Sequence, residues 1–412
     1  MLTGRRKILS GVLAQGVASL SNLLVALVVA RALGASALGR FSLLIAALGV
    51  LTALQTSWVG DSLTVLGPEY GRAALWWQHI IAISGSAVAA GLAVLLLRVP
   101  LSEAAAFTCL VAAWLYEEYG RRCLMARLRF VAQGLNDLLY LGLSLGGLTA
   151  FRMLGMLDLT AVLWAMAASA AVASVASQLH LPPEIRYWAR SVGAGQQEVL
   201  AVRNYGSWRS AQAATGAAGG LATRSVVSAG ASLTVLGNLE LARLVTAPLL
   251  TALAGMANVL LPVAANQRRE GTSHRGHRAS LLLLGMCAAY SALLLWQLPR
   301  AVRVLGGDGF SVSEPAVVGW LLVAVVLAAT QQLSVRGLVE LPARHLFIIR
   351  SAGTVVAVIV TAGLVQLSLA DWTPFALVAG TVVTAAGLRR RLHPRPPVAR
   401  ASDDVAVAEG CA

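Results

Sequence analysis

Between positions 8 and 388 the chain is a succession of apolar runs, separated by short segments in which arginine, glycine, proline and acidic residues gather. At 1.5 Å per residue, most of these runs are long enough to cross about 30 Å of hydrocarbon as a helix. None shows the alternation of polar and apolar positions that a membrane strand needs, and lipid tolerates no unpaired backbone, so the pattern predicts helices rather than a barrel. About twelve spans result, near 8–30, 41–66, 73–97, 104–120, 131–150, 159–179, 206–231, 238–264, 279–298, 315–335, 344–368 and 372–388.

The segments between spans fall alternately on two sides, and their basic residues are unevenly shared. About 23 of the 32 Lys+Arg lie on one side: Arg5, Arg6, Lys7, Arg72, the Arg121–Arg129 group, Arg186, Arg190, Arg203, the runs around 268–278 and 336–350, and the tail from Arg389 to Arg400. Roughly six (Arg31, Arg40, Arg98, Arg152, Arg300 and Arg303) lie on the other. This bias predicts that both termini are cytoplasmic and that the number of spans is even. A multi-pass protein of a bacterial inner membrane follows, the bacterial source being suggested by one lysine among so many arginines.

Two stretches of the chain resemble each other. Gly34-Ala35-Ser36 precedes Leu38-Gly39, and Gly230-Ala231-Ser232 precedes Leu236-Gly237; each pair is followed by Leu-Thr-Ala-Leu, at Leu51 and at Leu250. An offset of about half the chain predicts two six-helix bundles, residues 1–179 and 206–388, in a parallel repeat around a central cavity. Residues 180–205, with Pro182, Pro183, Arg186, Tyr187, Trp188 and Arg190, read as a cytoplasmic interfacial linker, and residues 389–412 as a disordered cytoplasmic tail.

Composition sharpens this picture. The chain is 58% hydrophobic and only 12% charged, against about 25% in ordinary soluble domains. Its net charge of +14 follows from the one-sided basic loops and from attraction to anionic membrane lipids, and no nucleic-acid module accompanies it. The four cysteines (Cys109, Cys123, Cys287 and Cys411) have no metal or redox spacing and read as packing or tail thiols. The six histidines lie mostly in loops, with His274 and His277 among arginines, and no convergent acids or histidines suggest a catalytic or metal site. A non-enzyme without cofactor is expected.

Four stretches carry a family resemblance. "VVARALGASALGRFSL", "EEYGRRCLMARLRFVAQGLNDLLY", "LGNLELARLVTAPLLTALAGMANVLLPVAA" and "LPRAVRVLGGDGF", in this order, resemble segments of the polysaccharide and oligosaccharide-lipid flippases of the multidrug/oligosaccharidyl-lipid/polysaccharide (MOP) transporter superfamily. Some members have fourteen helices, whereas this chain has room for about twelve. The resemblance implies a V-shaped pair of bundles that moves a polyprenyl-pyrophosphate-linked oligosaccharide from the cytoplasmic to the outer leaflet by alternating access. It also implies a role in cell-surface polysaccharide biosynthesis alongside polysaccharide-assembly proteins. A small-molecule or drug exporter of the same superfamily, a membrane enzyme acting on lipid-linked sugars, and a scaffold are the alternatives.

Charges inside apolar runs mark the candidate site. Arg224, within "GGLATRSVV", would cost about 2.5–3.5 kcal/mol in lipid on insertion scales, so it faces a cavity, a partner or the interface. It can grip a phosphate through paired hydrogen bonds, pair with Asp61 or Glu240, or snorkel outward. Asp61 reads as an arginine's counter-ion or as a site for a coupling ion, H+ or Na+. Arg31 lines the outer mouth or anchors the outer interface. Arg121 and Arg122 either receive pyrophosphate at the cytoplasmic entrance or simply pair with Glu118 at helical spacing, and Arg243 beside Glu240 carries the same two readings. Asn22, Gln15 and Gln55 offer hydrogen bonds to sugar or between helices.

Overall fold

A computed structural model of the chain describes residues 2–187, 194–269, 277–307 and 309–392. Among these residues the regular structure is helical. The elements are α1 Leu2–Gln55, α2 Asp61–Leu66, α3 Gly71–Gly91, α4 Leu101–Ala126, α5 Phe130–Met153, α6 Leu159–Leu179, α7 Gln196–Gly230, α8 Leu233–Arg269, α9 His277–Trp296, α10 Leu298–Gly306, α11 Glu314–Glu340, α12 Ala343–Gln366 and α13 Thr373–Leu392.

Local chemistry explains several of the breaks. Gly34 has φ 82° and ψ −176°, a conformation essentially reserved for glycine, and it divides α1 into two arms. The second arm continues through a π turn at Thr56–Gly60 into α2. Asp158 caps α6 by accepting a hydrogen bond from the Ala161 amide at 2.7 Å. Ser232 Oγ accepts from the Val235 amide at 3.1 Å where α8 begins. Counting the arms of α1 separately, joining α2 to the second arm and setting aside the nine-residue α10, twelve span-length helices remain among the described residues.

Six stretches are apolar enough to qualify as membrane spans on composition alone: 20–66, 71–95, 159–179, 233–253, 314–338 and 343–366. The first of them holds most of α1 and α2. The helices that fall short include α4, which carries Glu103, Glu117, Glu118, Arg121 and Arg122, and α7, which carries Arg203, Arg209 and Arg224. Several of these charges, Glu103, Glu118, Arg121, Arg122 and Arg224, are paired inside the protein, so a composition test understates the helices that carry them. The outer surface is apolar in turn: Ile83, Leu95, Met153 and Ile359 are all strongly exposed, as lipid-facing side chains are.

The helices form two bundles. In the first, α1 packs on α5, α4 on both α3 and α6, and α5 on α6; in the second, α12 packs on α7 and α13, and α11 on α8, α9 and α13. The first arm of α1 is the first span and α7 the seventh, with five spans between them, so the two run the same way through the membrane and the repeat is parallel. One apolar cluster joins Val29, Leu44, Phe107, Leu110 and Met166; another joins Val227, Leu236, Val245, Val317 and Leu321. The bundles meet where α1 crosses α7 and α8. There a Cβ on Gly39 would strike the Leu233 carbonyl and one on Gly237 would strike the Ala35 carbonyl. Leu233 precedes Gly237 by the same four residues by which Ala35 precedes Gly39, so the repeated Leu-Gly motifs pack reciprocally, backbone to backbone.

Three boundaries differ from expectation. Of the interfacial stretch 180–205, residues from Gln196 onward are the first turns of the long helix α7, because nothing between Gln196 and the span breaks the helix. Pro183–Ile185 is a single 3-10 turn, and Trp188 and Arg190 lie outside the described residues. Arg389, Arg390 and Arg391 continue α13 rather than beginning a tail, favoured by their place at a helix C-terminus; residues 393–412 lie outside the described set. The fourth span ends later than expected, at Ala126, and holds Arg121 and Arg122 in its last turns at helical spacing from Glu118. Cys123 and Cys287 are buried free thiols and Cys109 an exposed one.

Candidate functional site

The α7–α8 hairpin brings three charged side chains together. Arg224 lies about 9 Å before the end of α7 and Glu240 about 10 Å into α8, at 1.5 Å per residue, so the short turn sets them face to face. Arg224 Nε donates to Glu240 Oε1 at 2.7 Å, and Arg243 Nε, one turn further along α8, donates to Glu240 Oε2 at 2.6 Å. Arg224 Nη1 also donates to the Gly220 carbonyl at 3.0 Å. The Glu240 side chain is 4% exposed, whereas Arg224 and Arg243 keep 19% and 32%. Two arginines around one carboxylate leave a net charge of +1.

These three residues line a cavity of about 360 Å³ at the meeting of the two bundles. Its opposite wall comes from the two arms of α1, with Asn22 and Ala26 on the first and Phe41, Ser42 and Ile45 on the second. Arg224 and Glu240 also border a smaller hollow of about 50 Å³ inside the second bundle, beside Trp320 and Pro374. Both oxygens of Glu240 are taken up by the two Nε groups. The terminal nitrogens of Arg243 donate to no protein group among the described residues, which leaves them available to an anion.

The other candidates lie elsewhere. Arg121 and Arg122 belong to a buried network inside the first bundle. Glu118 accepts from Arg121 Nη1 at 3.1 Å, from Arg122 Nε at 2.6 Å and from Thr56 Oγ1 at 3.3 Å. Arg121 Nε is 3.5 Å from Asp137 Oδ1 on α5, and Asn136 Nδ2 donates to Glu117 Oε1 at 3.2 Å. Neither arginine lines the cavity between the bundles.

Asp61 lies in the field of Arg122 and Arg209, yet makes no ion pair within 4 Å among the described residues. It is not the partner of Arg224, since Arg209 sits about 22 Å from Arg224 along α7 at 1.5 Å per residue. Arg31 is exposed at the end of the first arm of α1. Gln55 and Gln78 bond each other at 2.9 Å and reach the Leu115 carbonyl on α4, an interhelical use; Asn22 lines the cavity; and the side chain of Gln15 lies outside the described residues.

Sequence reasoning did not foresee two contacts. Arg40 pairs with Glu103 at 3.0 Å, tying α1 to α4, and Asp137 joins the Arg121 network. Neither has a local signal, because each pair joins different helices. The Glu240–Arg243 spacing of three residues, by contrast, was visible. No group of three or more His, Cys, Asp or Glu suited to a metal occurs among the described residues.

No protein-family model matches the chain, and no curated protein matches it. Solved structures do. An inward-facing multidrug resistance MATE family transporter of the MOP superfamily has a TM-score of 0.67 at 15% identity, over 90% of this chain and 94% of that one. An outward-facing one has a TM-score of 0.66 at 15% identity, over 94% of each. A MOP superfamily transporter from Pyrococcus furiosus, described as having a binding pocket of reverse polarity that suggests a different function, has a TM-score of 0.64 at 15% identity, again over 94% of each. From α1 to α13, the chain has the fold of the MOP superfamily transporters.

Proposed function

We propose that this protein is a membrane flippase that carries a polyprenyl-pyrophosphate-linked oligosaccharide from the cytoplasmic to the outer leaflet by alternating access, for cell-surface polysaccharide biosynthesis. The observation that carries this reading is the pair of arginines around Glu240, exposed to the cavity between the bundles and holding a net positive charge. A diphosphate cannot cross hydrocarbon unaided, and guanidinium groups in a partly dehydrated cavity are suited to grip it. The polyprenyl tail needs no such help and stays in lipid. Structures of the same fold described as inward-facing and outward-facing support alternating access. The one-sided basic loops support a bacterial inner membrane with both termini in the cytoplasm.

Energetics suit such cargo. Two negative charges moving outward across an inside-negative potential gain up to roughly 4.6 kcal/mol per 100 mV, less whatever charge travels with them. A coupling ion, H+ or Na+, is therefore not required. The alternative of a drug exporter draws on the multidrug transporters among the similar structures. It is weakened by the charges here, because a cationic drug would meet two arginines and a carboxylate already bound by both.

Reconstituted translocation of a fluorescent polyprenyl-pyrophosphate sugar, under an inside-negative potential, tests the proposal. Arg224→Ala removes charge-assisted hydrogen bonds of about 1.5–3 kcal/mol, so transport is expected to fall by roughly ten- to a hundredfold while the protein stays folded. Unchanged transport in the variant would remove Arg224 from the pathway. Absence of transport by the wild type would overturn the reading itself.

A further inference from the structure

The cavity between the bundles is chemically lopsided. Among the described residues, every charged side chain that lines it, Arg224, Glu240 and Arg243, comes from the α7–α8 hairpin of the second bundle. The wall that the described residues of the first bundle form is neutral, and its polar side chains are Asn22 on the first arm of α1 and Ser42 on the second. Ser42 Oγ is already committed, donating to the Gly39 carbonyl at 2.8 Å. Asn22 is not: its amide is exposed and makes no hydrogen bond to protein among the described residues, so both of its donors and its acceptor are available.

Building on the function proposed above, we propose that Asn22 is a specificity-determining residue that recognises the sugar nearest the diphosphate, while Arg224 and Arg243 hold the diphosphate itself. The chemistry of the two walls divides along the chemistry of such a lipid. Diphosphate oxygens need cationic donors, which the hairpin supplies. Sugar hydroxyls both donate and accept, and a primary amide matches them in both roles without adding charge. The size agrees: about 360 Å³ lies at the low end of small-ligand pockets, room for the diphosphate and its first sugar rather than for a long glycan. Glu240 is a positioning residue in this arrangement. By taking both Nε groups it fixes the two guanidinium planes and leaves terminal nitrogens for the ligand.

A ligand held this way touches both bundles at once, the arginines on one side and Asn22 on the other. The sugar therefore contributes to drawing the bundles together, and a lipid diphosphate without sugar engages only one of them. The site selects loaded carrier over bare carrier.

The test is equilibrium binding to the full-length protein in lipid nanodiscs. Two fluorescent probes are compared, a polyprenyl pyrophosphate and the same lipid bearing one sugar, against wild type, Asn22→Ala and Arg243→Gln. Wild type is expected to favour the sugar-bearing probe. Asn22→Ala should weaken that probe by roughly two- to tenfold, as loss of a neutral hydrogen bond does, and leave the bare diphosphate unchanged. Arg243→Gln should weaken both by about tenfold or more, as loss of a charge-assisted contact does. Because Asn22 is exposed, its substitution spares the fold; Asn22→Leu, which keeps the size and removes donors and acceptor without adding charge, provides a second variant and should show the same selective loss. If either Asn22 variant weakened both probes alike, or neither, the sugar-recognition role would be overturned while the transport reading stood. If wild type bound neither probe, or if inorganic pyrophosphate displaced the lipid at equal concentration, the reading of a lipid-linked substrate would fail and this inference with it.

Discussion

Glu118→Ala is expected to destabilise the protein by about 3–5 kcal/mol, the cost of removing one partner from a buried ion pair and leaving the other uncompensated. Glu118 is 1% exposed and serves two guanidinium groups together with the Thr56 hydroxyl. Truncation to a methyl takes from Arg121, which is nearly as deeply buried, its 3.1 Å carboxylate partner, whereas Asp137 Oδ1 stands farther off at 3.5 Å. Arg122 keeps more access to solvent, so its share of the penalty is smaller. Glu118→Gln keeps an acceptor oxygen and should cost less. Thermal unfolding of the purified protein in detergent reads the difference. A melting temperature for Glu118→Ala equal to that of wild type would mean that the network is relaxed by water and carries no stability. Adding Arg122→Ala to Glu118→Ala should restore part of the loss, since it removes one of the two guanidinium charges that Glu118 balanced.

The second large effect concerns the seam between the bundles. Gly237→Val places a branched side chain against the Ala35 carbonyl, where even a Cβ does not fit. Overpacking commonly costs about 1–3 kcal/mol when side chains can move aside. Here the obstacle is backbone, and no rotamer relieves it, so α1 and α8 must separate. The expected result is a lower melting temperature together with a longer distance between spin labels on Ser36→Cys and Ser232→Cys, at the ends of the helices that meet here. Gly39→Val should act the same way from the other side, against Leu233 and Gly237. The double variant should fall short of additivity, because the first substitution already opens the seam. A label distance unchanged by Gly237→Val would show that the contact does not hold this end closed.

Much of the architecture can be read from the chain because lipid enforces it. An apolar run must become a helix, since no water is present to satisfy a backbone left open, and its length is set by the bilayer. That is why twelve spans, their order and the repeated Leu-Gly motifs are legible, and why Glu118 with Arg121 and Arg122, and Glu240 with Arg243, stand out at helical spacing. Helix ends are less so. No residue at Gln196 announces that α7 begins there, and nothing at Arg389 stops α13, because the basic residues that mark the membrane surface are themselves good helix formers.

The tertiary structure alone decided which charges meet. In sequence Arg224 had two possible acidic partners, Asp61 and Glu240; the turn between α7 and α8 places Glu240 within 2.7 Å and leaves Asp61 beside other arginines. Arg40 with Glu103, and Arg121 with Asp137, join residues on different helices, and helix rotation about its own axis leaves no trace in a run of apolar residues that are hydrophobic on all sides. The position of the cavity, and its division into a charged wall from α7 and α8 and a neutral wall from α1, depends on that same rotation. That the chain crosses a membrane many times and carries few, confined charges follows from its residues in order; which of those charges share a site follows from packing of one bundle against the other, because burial and pairing are properties of the assembled helices and not of any single one.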